Sequence, residues 1–212
     1  MSGLPAIDVV LFDLGGVLVE LDGLPLPAAS GAAEGGDSVW ARWLASAAVR
    51  RFESGRIGAR AFAEEIVREL SLDLSPAAFL ARFERWPRGL YPGALELLGR
   101  LRGRVRVGCL TNCNALHWPR FLGEMGLAGA LDHAFSSHEL GALKPDREVF
   151  EAVLGALACP AERVLFLDDN EPNVAGARAA GIRAERVRTP EGALAALRAI
   201  GLLDGPAPRA SF

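Results

Sequence analysis

A chain of 212 residues, half of them apolar and with a formal net charge of -3, can bury roughly 70% of its unfolded surface in one sizeable domain or in a core with a modest insertion. The charge excludes a general nucleic-acid binder, since no run of Lys or Arg gathers enough cation to neutralise many phosphates. No window approaches about 18 consecutive apolar residues and the start Met1-Ser2-Gly3-Leu4-Pro5 lacks a leader pattern, so a cytoplasmic protein with no membrane partner is expected.

The first element is an apolar, β-branched and aromatic run, Val9-Val10-Leu11-Phe12, closed by Asp13-Leu14-Gly15-Gly16. It predicts a strand over 7 to 13 with a carboxylate at its carboxyl end, where α/β sheets place their ligands. Residues 23 to 37 are rich in Gly, Pro and Ala and read as a loop. The segments 38 to 54, 58 to 71 and 75 to 85 carry large apolar residues at three- and four-residue spacing and predict a helical insert. Its aromatic residues Trp40, Trp43, Phe52, Phe62, Phe79 and Phe83 are expected to pack together, and 86 to 93 reads as the return linker. The stretch of about 90 residues between the first and second strands is too long for a plain crossover, so it must contain folded structure.

Beyond it, strands are expected at 105 to 111, 133 to 137, 163 to 168 and 183 to 187. Helices are expected at 92 to 102, 115 to 126, 146 to 158, 172 to 181 and 190 to 200. This is the βα rhythm of a Rossmann-like α/β fold, a parallel sheet flanked by helices. The tail from Asp204, with Pro206 and Pro208, is expected to be loose. Cys109, Cys113 and Cys159 are odd in number and show no CxxC spacing, so buried thiols are expected rather than disulfides or zinc ligands.

Four polar stations end the predicted strands or follow them: Asp13, Thr111, Lys144 and Asp168-Asp169. All would project over one edge of the sheet, where a phosphoryl group can meet them together. Asp13 can attack phosphorus, and Thr111 with the Asn112 amide can bind a phosphoryl oxygen. Lys144 can neutralise its charge, and Asp168-Asp169 can hold a divalent cation. Alone, each reads as an ordinary turn, cap or loop residue.

The strings FDLGGVL, LTN, LGALKPD and FLDDNEPNVAGARAAGI, in that order, resemble the haloacid dehalogenase superfamily over nearly the whole chain. The resemblance implies a catalytic core over 1–20 and 90–203 and a small helical cap over 21–89, with 204–212 as the tail. It implies an Mg²⁺-dependent phosphomonoesterase acting on a small phosphorylated metabolite, a sugar phosphate among the candidates, as a monomer or homodimer. Asp13, the Gly15 carbonyl and Asp169 would hold the metal, with Asp168 where the commoner GDxxxD form has its glycine and Asn173 at the last acid. The segment Phe52-Glu53-Ser54-Gly55-Arg56-Ile57 resembles a cap segment of sugar-phosphate phosphatases in this group.

The first motif departs from the family's usual DxD, because Gly15 stands where the second Asp serves as acid and base. A subset resembling sugar-1-phosphate phosphatases shares the Asp-Leu-Gly form. Two other readings stay open: a phosphometabolite-binding protein without turnover, and a 2-haloacid dehalogenase in which Asp13 attacks carbon. If the chain is an enzyme, another group must donate the proton. His117, whose ordinary pKa of about 6.5 suits proton transfer near neutrality, is the expected donor, against the alternative that it packs against the cap or linker.

Overall fold

The computed structural model describes residues 6–21, 23 and 36–203, with the side chains of 36–40 excepted. The Trp40 side chain, most of the expected loop over 23 to 37 and the tail from Asp204 lie outside the described residues. The chain opens with β1 (Val9–Phe12) and a short antiparallel ribbon made by β2 (Val19–Leu21) and β3 (Pro87–Leu90). It continues with β4 (Arg106–Thr111), β5 (His133–Ser136), β6 (Val164–Asp168) and β7 (Arg183–Arg186). Five strands form a parallel sheet in the order β5-β4-β1-β6-β7.

Both β1 and β6 are buried along their whole length, which explains why they read as continuous apolar runs rather than alternating ones. Alternation reappears in how their side chains divide. Val10 and Phe12 join a cluster with Leu97, Leu98 and Leu197 on one face, whereas Val9 and Leu11 join Phe150, Val153 and Val174 on the other. The helices that supply these partners are α5 (Ala94–Leu101) and α10 (Thr189–Ala199) on the first face, α8 (Arg147–Leu157) and α9 (Glu171–Ala179) on the second. Each such side chain contributes about 1.5–3 kcal/mol on burial, so the sheet is held from both sides.

The insert between β2 and β3 consists of α1 (Gly36–Ala45), α2 (Ala47–Glu53), α3 (Ala59–Glu69) and α4 (Pro76–Phe83). The single helix expected over 38 to 54 is two. Ser46 interrupts it because its hydroxyl oxygen accepts from the Val49 amide at 3.3 Å and so starts a new helix. Ser75 does the same for α4, accepting from Ala78 at 3.2 Å, with Pro76 in the first turn. Trp43, Phe52, Phe62, Phe79 and Phe83 are all buried in a cluster of their own, with the Phe52 and Phe62 rings stacked 4.3 Å apart.

Two further differences concern short elements. The expected return linker contains β3, whose partner β2 was not expected, because three- and four-residue strands with Pro87 and Gly89 give almost no alternation to read. The helix expected over 115 to 126 forms only as α6 (Trp118–Leu122), and a one-turn helix, α7 (Ser137–Leu140), follows β5 directly. Among the described residues no helix is long and apolar enough to cross a membrane.

Candidate active site

Three adjacent strands end side by side. Phe12 pairs in register with Cys109 of β4 and Leu167 of β6, so Asp13 emerges between Leu110 and Asp168, one residue short of Thr111. The Asp13 amide continues the ladder by donating to the Leu167 carbonyl at 2.8 Å. These ends form the floor of a cleft of about 860 Å³ lined by Asp13, Gly15, Thr111, Asn112, Lys144 and Asp169, with insert residues facing them.

Lys144 reaches in from the segment after α7. Its ammonium donates to Asp13 at 2.8 Å, to Asp168 at 2.7 Å and to the Leu110 carbonyl at 2.9 Å, which uses all three protons. Asn112 fixes the backbone behind it, donating to the Lys144 carbonyl and accepting from its amide, both at 2.9 Å. The Asn112 side chain therefore clamps the lysine. Asp168 is fully buried below the cleft, and its carboxylate also accepts from the Asn170 amide at 2.8 Å and from Asn173 at 3.0 and 3.1 Å. The Thr111 hydroxyl makes no hydrogen bond to the described residues and lines the cleft.

The charges are set by burial. Desolvation raises the Asp13 pKa to about 6, with Lys144 pulling it down and Asp168 pushing it up. Burial works against the Lys144 ammonium, but Asp13 and Asp168 outweigh it, so its pKa is raised and it stays charged. Asp169 is raised by partial burial and by Asp168, with Arg188 opposing at 3.6 Å. Asp13, Asp168 and Asp169 offer carboxylate oxygens within 4.8 Å of one another. Such an all-oxygen set suits a hard divalent cation. Gly16 keeps it open: at φ +73° a Cβ there would stand 2.6 Å from an Asp169 oxygen.

His117 departs from its expected part. It is buried, its Nε2 donates to the Phe83 carbonyl at 2.7 Å, and its Nδ1 faces the Asn114 side-chain amide at 3.2 Å. Burial lowers its pKa to about 4, so the ring is neutral near pH 7 with both nitrogens engaged. It ties the loop after β4 to the end of α4, and as a proton donor it has no nitrogen to offer. The alternative weighed in the sequence, packing against the insert, describes its place.

Glu53, the last residue of α2, received no role from the sequence. It is half-buried, lines the cleft and has a pKa raised to about 7 by burial, with Lys144 lowering and Asp13 raising it. The signal lay in the Phe52-Glu53-Ser54-Gly55 segment, whose carboxylate meets the site only through the fold.

A parallel sheet with a carboxylate cluster and one lysine at its carboxyl edge, facing a helical insert, marks an α/β protein built to hold a cation and an anion at its strand ends. The chain belongs to the haloacid dehalogenase-like hydrolases, a family that matches residues 7–181. It is 32% identical to Phosphatase MT3486 of Mycobacterium tuberculosis over 96% of this chain and 100% of that protein. It is 34% identical to a phosphoglycolate phosphatase of Rhodospirillum rubrum over 82% of this chain and 76% of that one. A HAD family enzyme of Bacteroides thetaiotaomicron, solved with magnesium and inorganic phosphate, shares the fold at a TM-score of 0.71 and 24% identity, covering 86% and 95% of the two chains.

Proposed function

We propose that the protein is an Mg²⁺-dependent phosphomonoesterase for a small phosphorylated metabolite, a sugar phosphate being one candidate, working through an aspartyl-phosphate on Asp13. The carrying observation is the bonding of Lys144 to both Asp13 and Asp168 at the floor of a cleft that also holds Asp169 and a Thr111 hydroxyl bonded to none of the described residues. Two relatives named as phosphatases support the reading. The insert over 21–89 serves as the cap of a core formed by 1–20 and 90–203, excluding water when substrate is bound.

Asp13, the Gly15 carbonyl and Asp169 are the residues that would hold Mg²⁺. Asp168, with its oxygens tied to Lys144 and Asn173, acts as the lysine's counter-ion. The cation neutralises charge on the phosphoryl oxygens when bound. Thr111 and the Asn112 amide take the remaining oxygens, and Lys144 offsets the repulsion between the Asp13 carboxylate and a phosphate dianion.

The test is hydrolysis of p-nitrophenyl phosphate and a panel of phosphorylated sugars, nucleotides and organic acids, with Mg²⁺ and in excess chelator. Turnover that disappears with chelator and in Asp169→Ala supports the reading. Metal-independent release of halide from 2-haloacids would replace it with dehalogenation, as in the L-2-haloacid dehalogenase of Xanthobacter autotrophicus, a structural neighbour with a TM-score of 0.64. Binding of phosphometabolites without turnover would leave a binding protein.

A further inference from the structure

Gly15 leaves the first motif without its second carboxyl group, and the Leu21 side chain stands close beside it: a Cβ on Gly15 would lie 3.1 Å from a Leu21 methyl. The acid and base of the reaction must come from elsewhere. Among the described residues, Glu53 is the insert carboxylate that lines the cleft holding Asp13 and Lys144. We propose that Glu53 supplies this function: it protonates the leaving oxygen in the first step and deprotonates water in the second. The proposal rests on the phosphomonoesterase reading.

Geometry brings Glu53 there and leaves its carboxyl group available. Ser137 Oγ donates to the Glu53 carbonyl at 2.6 Å and accepts the Cys113 amide at 2.9 Å, which pins the end of α2 to the loop after β4. Two residues on, Gly55 at φ +71° packs so closely that a Cβ there would meet the His138 carbonyl at 2.5 Å. One turn back, Arg50 bonds Asp146, two residues past Lys144, at 2.7 Å. These contacts hold the backbone of Glu53, whereas its carboxyl group makes no hydrogen bond or ion pair with the described residues.

The charged groups around it come from both sides. Lys144 and Asp13 act from the core and Arg50 from its own helix, with Asp146 held by Arg50 and His138 on the neighbouring α7. Glu53 stands outside the carboxylate cluster of Asp13, Asp168 and Asp169. A pKa raised to about 7 leaves it divided between acid and base near neutrality, as a group that must do both requires.

The steps balance. An Asp13 oxygen bonds to phosphorus, the bond from phosphorus to the leaving oxygen breaks, and its electron pair takes the Glu53 proton. Water then gives a proton to the Glu53 carboxylate as its oxygen bonds to phosphorus. The phosphorus–Asp13 bond breaks with its pair returning to Asp13, which leaves Glu53 protonated for the next cycle.

The experiment compares an alkyl phosphate with p-nitrophenyl phosphate in wild type and Glu53→Gln, both with Mg²⁺. For the alkyl ester, kcat/KM should fall by about 10²- to 10⁴-fold, the range general acid catalysis spans. For p-nitrophenyl phosphate, whose leaving group needs little protonation, kcat/KM should change by less than about tenfold. Its kcat should drop, with a burst of one nitrophenolate per site as phosphoenzyme accumulates. The alkaline limb of the alkyl kcat/KM profile should vanish, and formate should partly restore turnover in Glu53→Ala. Equal losses on the two esters with no burst would overturn the assignment. A wild type that hydrolyses neither ester would instead overturn the phosphomonoesterase reading.

Discussion

The sheet core and the helical insert solve different problems with different residues. In the core, burial on both faces fixes five parallel strands so firmly that carboxylates and a lysine can be held in a water-poor floor, Asp13 and Asp168 each within 2.8 Å of one ammonium. The insert has its own aromatic cluster and meets the core through a handful of polar joints, among them Ser137 with Glu53, His117 with Phe83 and Arg50 with Asp146. The contrast teaches that groups which must not move lie at strand ends. Glu53 and the other insert residues that line the cleft ride on a separately packed unit.

The largest expected effects lie in the core. Lys144→Ala should lower turnover by about 10²–10³-fold, the scale of losing one electrostatic stabiliser. It should also cost about 3–5 kcal/mol of stability, because two buried carboxylates lose their shared cation. Asp13→Asn should abolish turnover yet leave Tm unchanged or higher, since burial already opposes its charge. Lys144→Ala with wild-type Tm and near-normal kcat/KM would show that the ammonium does not bridge the pair.

Phe62→Ala should loosen the insert and spare the sheet. Phe62 is fully buried between Phe52 and Phe83, and removing such a ring costs about 3–5 kcal/mol. Hydrogen exchange should report the loss in α2, α3 and α4 while amides of β1 and β6 stay protected. Equal deprotection of sheet and insert would show that the two open as one cooperative unit.

His117 predicts a pH effect at their junction. Its folded pKa is depressed to about 4 from 6.5, so the unfolded chain binds the proton first and stability is lost as pH falls through that window. The contribution is about 3 kcal/mol once pH is below 4. The slope of stability against pH between 6.5 and 4 should flatten in His117→Gln, and an unchanged slope would show that the ring takes up a proton without leaving Phe83.

The smallest effect belongs to Arg50 and Asp146. Both are about half exposed, so their pairing is worth under about 1 kcal/mol. A double-mutant cycle should give a coupling in that range that shrinks with added salt. A larger, salt-insensitive value would make this joint a structural clamp.

The core was legible because its signals are local. Val9 to Phe12 and Val164 to Leu167 announce buried strands, and the polar residue ending each is a position the chain itself supplies. The helices of the insert were legible from their spacing, yet the break at Ser46 depends on one side chain turning back to the Val49 amide. The β2–β3 ribbon joins residues about 70 positions apart and is too short to carry a period. The same distance in sequence hid the rest of the site. Nothing near His117 says that the Phe83 carbonyl, 34 positions earlier, waits for its ring. Nothing near Glu53 says that Asp13 lies across the cleft.

The backbone of Gly55 rests on the His138 carbonyl with no room for a side chain between them, so the segment after α2 meets α7 backbone to backbone, two residues from Glu53. A methyl group at position 55 would have to push α2 and α7 apart, so this one contact sets how near the insert approaches the core beside Glu53.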